Sequence, residues 1–387
     1  MSEANRLRIL YFLVFCCTAS FLPLFADYLI DRGLSSLQVG IVLGITPLLM
    51  FLVQPFYGRF IDRIGYRRSL IWSSLLAALS FSLFLVKAGF IYIVLVTALM
   101  SVFYNTVQPI LDSLSLQLAD SNPKFSYGKL RFAGAAGWAF TGIITGQLID
   151  AIDTTIIFAV CSISMLCCCF FAFYLPKMEI RPALSVENSY ARLGKILQNK
   201  TLLILLFSVF LIAAGTSTIW YFYSVYMKQN GASASLVGMG LSFQGLCEIP
   251  LFYFSAKIII RYGRKNTLLL TIFASVLRLI LYGVVKNPYF ALLIELLHGF
   301  SWSLFWVVCV EYVNELVDKE WRATGQSLLF AAYYGVGIIA GNFWTTWLSS
   351  AALSIADIYL LNAAIIFIVG IFVWIFLRKP SMFQTSG

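Results

Sequence analysis

The sequence predicts an all-α membrane protein of twelve transmembrane helices, arranged as two six-helix bundles related by a parallel repeat. Three observations predict it. Of the 387 residues, 60% are hydrophobic and only 11% charged, with a mean hydropathy of +0.88, against roughly half apolar and a quarter charged in soluble domains. The apolar residues fall in runs of about 20, the length that crosses a hydrocarbon core. The pattern of the first half also recurs in the second.

Taken in order, runs bounded by charge, Pro or Gly place the spans near residues 8–30, 37–58, 69–87, 90–112, 127–149 and 155–175, then 201–227, 234–257, 266–285, 288–313, 323–348 and 356–377. The first begins at a run long enough to span and with no small-residue cleavage pattern, so it reads as a helix rather than a signal peptide. Residues 176–200 form the longest polar stretch, with Pro176, Lys177, Arg181, Pro182, Arg192, Lys195 and Lys200. They read as a cytoplasmic linker between an N-terminal bundle, 1–175, and a C-terminal bundle, 201–387.

A shift of 198 residues pairs Gly33 with Gly231, Ser35 with Ser233, Val39 with Val237, Gly40 with Gly238 and Leu43 with Leu241. Without a gap it continues to Phe56/Phe254, Arg63/Arg261, Gly65/Gly263 and Leu70/Leu268. Nine identities on one diagonal mark an internal repeat. An even number of spans separates the copies, so they run in the same direction about an axis normal to the bilayer.

The formal net charge of +10 does not point to nucleic acid, because the basic residues sit in short clusters between apolar runs. Of the 25 Lys and Arg outside the spans, only Arg32, Lys87, Lys228 and Lys286 fall in loops on one side, leaving 21 on the other. Both termini are therefore expected in the cytoplasm. The eight cysteines (Cys16, Cys17, Cys161, Cys167, Cys168, Cys169, Cys247, Cys309) lie inside apolar runs, where a thiol is a small hydrophobe, and none has metal-site spacing. Neither metal nor cofactor is expected.

Ionisable groups at membrane depth cost a few kcal/mol each unless paired or hydrated, and so mark function. In the first half these are Asp112 and Arg131, whose fork suits a carboxylate or a pair of hydroxyls. Trp138 lies two turns after Arg131 on the same face, placed to stack on a sugar or an aromatic group. This trio reads as a ligand clamp, with a structural ion pair beside an interfacial Trp as the alternative. In the second half Glu248, Arg278, Glu295 and His298 form the corresponding set. Glu295 and His298 share a helix face, and two acids compete for the single guanidinium of Arg278, which leaves one easily protonated. That is a proton-coupling site, although His298, the sole histidine, is also explained by a bond to a backbone carbonyl. Asp27 reads as solvated at the outer mouth of the first span, with a binding role as the alternative, and Glu311 as interfacial. Gly142/Gly146 and Gly337/Gly341 have the spacing that lets helix backbones meet.

The segment Gly58-Arg-Phe-Ile-Asp62-Arg63-Ile-Gly65-Tyr-Arg67-Arg68 resembles the loop motif of the major facilitator superfamily. A degenerate copy stands at Arg261-Tyr-Gly263-Arg264-Lys265. The resemblance implies the major facilitator fold and, at this loop, a charge network that gates conformational change. Within that superfamily the chain resembles the lactose and phenylpropionate permease group of proton symporters. Pro109-Ile-Leu-Asp112 and Tyr127-Gly128-Lys129-Leu-Arg131-Phe-Ala-Gly134-Ala-Ala-Gly137-Trp138 are similar to the signature of helices four and five. There the resemblance makes Asp112, Arg131 and Trp138 sugar ligands, with Asp in place of lactose permease's Glu. Arg278 matches that permease's helix-nine arginine and His298 its helix-ten histidine, and solute is expected to bridge Asp112, Arg131 and Trp138 to His298 and Glu248. The chain departs from it at Ser301, where a protonatable Glu is expected, at Glu295, where a Lys is expected, and around Thr216, Ser217 and Thr218, where helix-seven acids are missing. Lactose itself is not expected, and Glu248, with Glu295 second, is the expected proton carrier.

The expected activity is therefore proton-coupled uptake of a small polar solute such as a sugar or glycoside, by a monomer in the plasma membrane, or the inner membrane of a Gram-negative cell. Aromatic monocarboxylates and nucleosides are the next solute classes, and a lipid or drug exporter of the same fold is the rival function. No HExxH, second histidine or Walker loop supports an enzyme or an ATP-driven pump.

Overall fold

Backbone amides in a bilayer must bond within their own segment, which makes helices the available spanning element for a chain of this hydropathy. The computed structural model describes residues 2–122, 125, 127–175, 198–317 and 322–377, and among these no strand occurs. The first six helices are α1 (Glu3–Asp31), broken between Phe21 and Phe25, α2 (Ser36–Ile64), α3 (Tyr66–Leu83), α4 (Phe90–Ser121), α5 (Tyr127–Ala151) and α6 (Ile156–Ala172). The next four are α7 (Lys200–Gln229), α8 (Ala234–Tyr262), α9 (Arg264–Val284) and α10 (Pro288–Leu316). Then α11 runs from Arg322–Phe330 through a π-helical stretch, Ala331–Gly337, into Ile338–Ser350, and α12 spans Ile355–Phe376. The break in α1 falls at Pro23, which lacks the N–H that would continue the ladder.

The packing repeats with a period of six helices. In the first half α1 packs on α5 and α6, α3 on α4 and α6, and α2 on α4; in the second α7 packs on α11 and α12, α9 on α10 and α12, and α8 on α10. Across the halves α5 meets α8 and α11 meets α2, again the same pair moved by six. The structure thus has the two parallel bundles that the sequence repeat implies. The linker residues 176–197 lie outside the described residues.

The repeat extends to the turns. Among the described residues four glycines have positive φ: Gly33 (76°) and Gly231 (85°), Gly65 (86°) and Gly263 (76°), each pair 198 residues apart. Gly33 and Gly231 close helices with the same 6→1 bond, Leu34 N–H to Leu29 C=O and Ala232 N–H to Met227 C=O. The serines two residues on, Ser35 and Ser233, then cap the following helices by accepting from Gln38 N–H and Leu236 N–H.

Candidate functional site

Helices α4 and α5 of the first half and α8 of the second carry ionisable groups to the space between the halves. Pro109 lies inside α4 and Pro250 inside α8, each freeing a carbonyl one turn back and loosening the helix beside an acid, Asp112 and Glu248. Between the halves lies a cavity with about 150 Å³ open to the centres of water molecules, where one water needs roughly 10–15 Å³. Asp112, Arg131 and Trp138 line it from the first half, and Glu248, Trp220, Tyr221, Trp302, Phe330, Tyr333 and Tyr334 from the second.

The clamp residues are positioned by neighbours that sequence reasoning missed. The Tyr11 hydroxyl donates to Asp112 Oδ1 at 2.7 Å. The Arg131 guanidinium lies 3.7 Å from the centre of the Phe15 ring, a cation–π contact, with Tyr11 5.9 Å away. Gly134 makes the notch for it, since a Cβ there would stand 2.7 Å from both Arg131 Nη1 and the Phe15 ring. Trp138 is buried, and its indole N–H has no hydrogen-bond partner among the described residues, so this cavity-lining donor is left for whatever fills the space.

In the second half the two acids choose different partners. Arg278 Nη2 pairs with Glu295 Oε2 at 2.6 Å, Tyr282 donates to the other Glu295 oxygen, and Arg278 Nη1 reaches Ser301 at 3.3 Å. Glu248 Oε1 instead lies 2.9 Å from His298 Nε2. Glu295 and His298, expected on one shared face, therefore belong to two separate pairs. The split lies between helices: Glu295 meets Arg278 of α9 and His298 meets Glu248 of α8, while the backbone of α10 passes through a 3₁₀ turn at Glu295–Leu297 and a π-helical stretch at Gly299–Leu304. His298, expected to touch solute, is 1% exposed and does not line the cavity. It stands behind Trp220, ring centres 5.5 Å apart, and reaches the cavity through Glu248.

Asp27 also corrects its expectation. It is 5% exposed rather than solvated, and it bridges the halves, with Lys228 Nζ at 2.7 Å and the Ser224 hydroxyl donating at 2.5 Å. Nearby, Asp150 at the end of α5 accepts from the Ala234 and Ser235 amides, 2.9 and 2.8 Å, capping α8 of the other half. Gly142 and Gly146 pack on the α8 backbone, where a Cβ on Gly238 would stand 2.2 Å from the Gly142 carbonyl oxygen. These contacts close the face opposite the chain termini. Gly238→Val has no room while that face is shut, so it is expected to drive the halves apart there. Spin labels at Asp153 and Asn230 should then report a longer distance than in the parent, and an unchanged distance counts against the closure assignment.

On the terminal side, Arg264 of the degenerate loop copy pairs with Glu315 (2.8 Å) and Glu311 (3.6 Å), tying α9 to α10. In the first copy, Gly65 ends α2 and Arg67 and Arg68 open α3. The gate network expected at Gly58, Asp62 and Arg63 lies outside the described residues.

A transmembrane bundle with a cavity between repeated halves, lined by two acids and a guanidinium, narrows the function class, and comparison with known proteins decides it. The MFS_1-like family profile matches residues 4–369. The chain belongs to that family. This major facilitator chain is 24% identical over 384 residues to a maltose permease of Geobacillus stearothermophilus, covering 97% of the chain and 94% of the permease. It is also 24% identical over 335 residues to a probable 3-phenylpropionic acid transporter of Escherichia coli K12, covering 83% and 84%. The solved structure of the nucleoside transporter NupG superposes with a TM-score of 0.81 at 17% identity, covering 98% of the chain and all of that structure. The fold class and the superfamily read from the loop motif are thus those of the protein, a multi-pass secondary transporter.

Proposed function

We propose that this transporter is a proton-coupled symporter that takes up a small polar solute, a sugar or glycoside, by alternating access. One observation carries the reading: a single cavity faces Asp112, Arg131 and Trp138 from one half and Glu248, bonded to the chain's sole histidine, from the other. The clamp supplies a fork, a carboxylate and an indole donor, the set that holds adjacent hydroxyls. Glu248 and His298 supply a pair within hydrogen-bond reach that holds or passes a proton.

The Lys and Arg bias assigns the terminal side to the cytoplasm. The conformation described is then closed to the outside by Asp27, Lys228, Asp150 and the Gly142–Gly238 contact. With Glu248 protonated, solute enters from outside and bridges the clamp to the second half; the halves rock, and solute and then proton leave inward. Each proton moving down the membrane potential supplies about 2.3 kcal/mol per 100 mV.

The test is radiolabelled sugar uptake into proteoliposomes under an inward proton gradient, with and without a protonophore. Glu248→Gln fixes the carrier in its neutral form. It is expected to retain solute exchange down its own gradient while losing accumulation driven by protons. Accumulation surviving in Glu248→Gln moves the proton elsewhere, and uptake indifferent to the protonophore removes coupling altogether. Loss of efflux but not uptake would favour the exporter.

A further inference from the structure

The second half faces the cavity with aromatic rings, and its backbone is deformed where it does so. Trp302 sits in the π-helical stretch Gly299–Leu304 of α10, and Tyr333 and Tyr334 in the π-helical stretch Ala331–Gly337 of α11. Such stretches are rare and are frequently found at functional sites. Here two of them, on adjacent helices, bring their aromatic residues to one wall, with Trp302 and Tyr333 centres 5.2 Å apart. Phe330 stacks on Tyr334 at 5.5 Å, and Trp220 meets Trp302 edge-on at 4.9 Å.

A role in core packing explains this wall poorly, because Trp220, Trp302, Phe330 and Tyr334 are only partly buried and border open space. A bare sugar explains it poorly too. Its hydroxyls are matched by Asp112, Arg131 and the free N–H of Trp138, which would leave the rings of the other half facing water. Rings that line a cavity attract a planar partner through offset or edge contacts.

We propose that the wall is a stacking platform and that the solute is an aromatic glycoside, its sugar held at Asp112, Arg131 and Trp138 and its planar aglycone against Trp302 and Tyr334. The inference rests on the sugar-site reading above and sharpens it to a substrate class.

Calorimetry on the full chain in nanodiscs tests it with glucose and galactose, their phenyl β-glycosides, their cyclohexyl β-glycosides, uridine and 3-phenylpropionate. For at least one sugar the phenyl glycoside should bind about tenfold tighter than the parent and clearly tighter than the cyclohexyl analogue. Trp302→Leu and Tyr334→Leu should each erase most of that advantage, weakening the phenyl glycoside far more than the parent sugar. Uridine binding that shows the same dependence on Trp302 supports the inference for a base as aglycone. Parent and phenyl glycoside binding alike, or phenyl and cyclohexyl alike, overturns the platform and leaves the sugar site standing. Binding of 3-phenylpropionate with no sugar derivative bound overturns the sugar site and the inference together. The wild-type comparisons decide even if a variant misfolds.

Discussion

Arg131→Gln is expected to reduce solute binding and uptake by a hundredfold or more. The guanidinium lies against Phe15 in the notch that Gly134 leaves, and Asp112 is held by Tyr11 across the same cavity. A hydrogen bond to a charged group contributes about 1.5–3 kcal/mol, so losing both prongs of the fork removes about 3–6 kcal/mol. Glutamine keeps polarity but neither the charge nor the reach. Arg131→Lys keeps the charge without the planar fork and should fall between the two. Gly134→Ala offers an independent check: it leaves Arg131 in the chain but fills its notch, and should weaken binding in the same direction. The measurement is solute affinity and initial uptake rate in proteoliposomes. Binding within threefold of the parent in Arg131→Gln would remove Arg131 from the clamp.

The proposed clamp and the closure opposite the termini act on the same two halves. Asp27, Lys228 and Asp150 join the halves on the face opposite the chain termini, whereas Asp112, Arg131 and Glu248 face one another across open space. Ligand that draws the two walls together competes with the contacts that hold that face shut, and each state then uses a different set of cross-half contacts. Weakening those contacts should therefore favour the state open on that face.

The fold was legible because its signals are long. Twenty-residue apolar runs and the 198-residue diagonal persist through local ambiguity, and Gly33/Gly231 and Gly65/Gly263 proved to be matched positive-φ turns. That Asp112 and Arg131 share one cavity was legible because an acid and a guanidinium stand out against apolar neighbours. What stayed hidden depends on relations between helices. Which acid takes Arg278 is decided by how α8, α9 and α10 sit against one another, and that leaves no residue-type mark. Asp27 and Lys228 lie at the ends of spans, where charge is ordinary, so their pairing across the halves has no sequence signal. Trp220, Trp302 and Tyr334 look like any other aromatic in a chain with 9 Trp, 20 Tyr and 34 Phe.

Removing one member of the Arg278–Glu295 pair should destabilise the protein by about 3–5 kcal/mol, because the remaining charge stays buried without compensation. Arg278 is 3% exposed and Glu295 fully buried, with a contact at 2.6 Å. Arg278→Met and Glu295→Met should each lower the SDS concentration needed for half-unfolding in mixed micelles. The double variant should recover most of the loss, since both charges and the need to desolvate them are gone together. The same double variant separates structure from coupling. If Glu248 and His298 carry the proton, refolded double-variant transporter still accumulates solute under a proton gradient. If accumulation vanishes while exchange persists, Glu295 is the carrier and the assignment to Glu248 fails. Additive losses in stability would instead show that Arg278 and Glu295 act separately, contrary to their geometry.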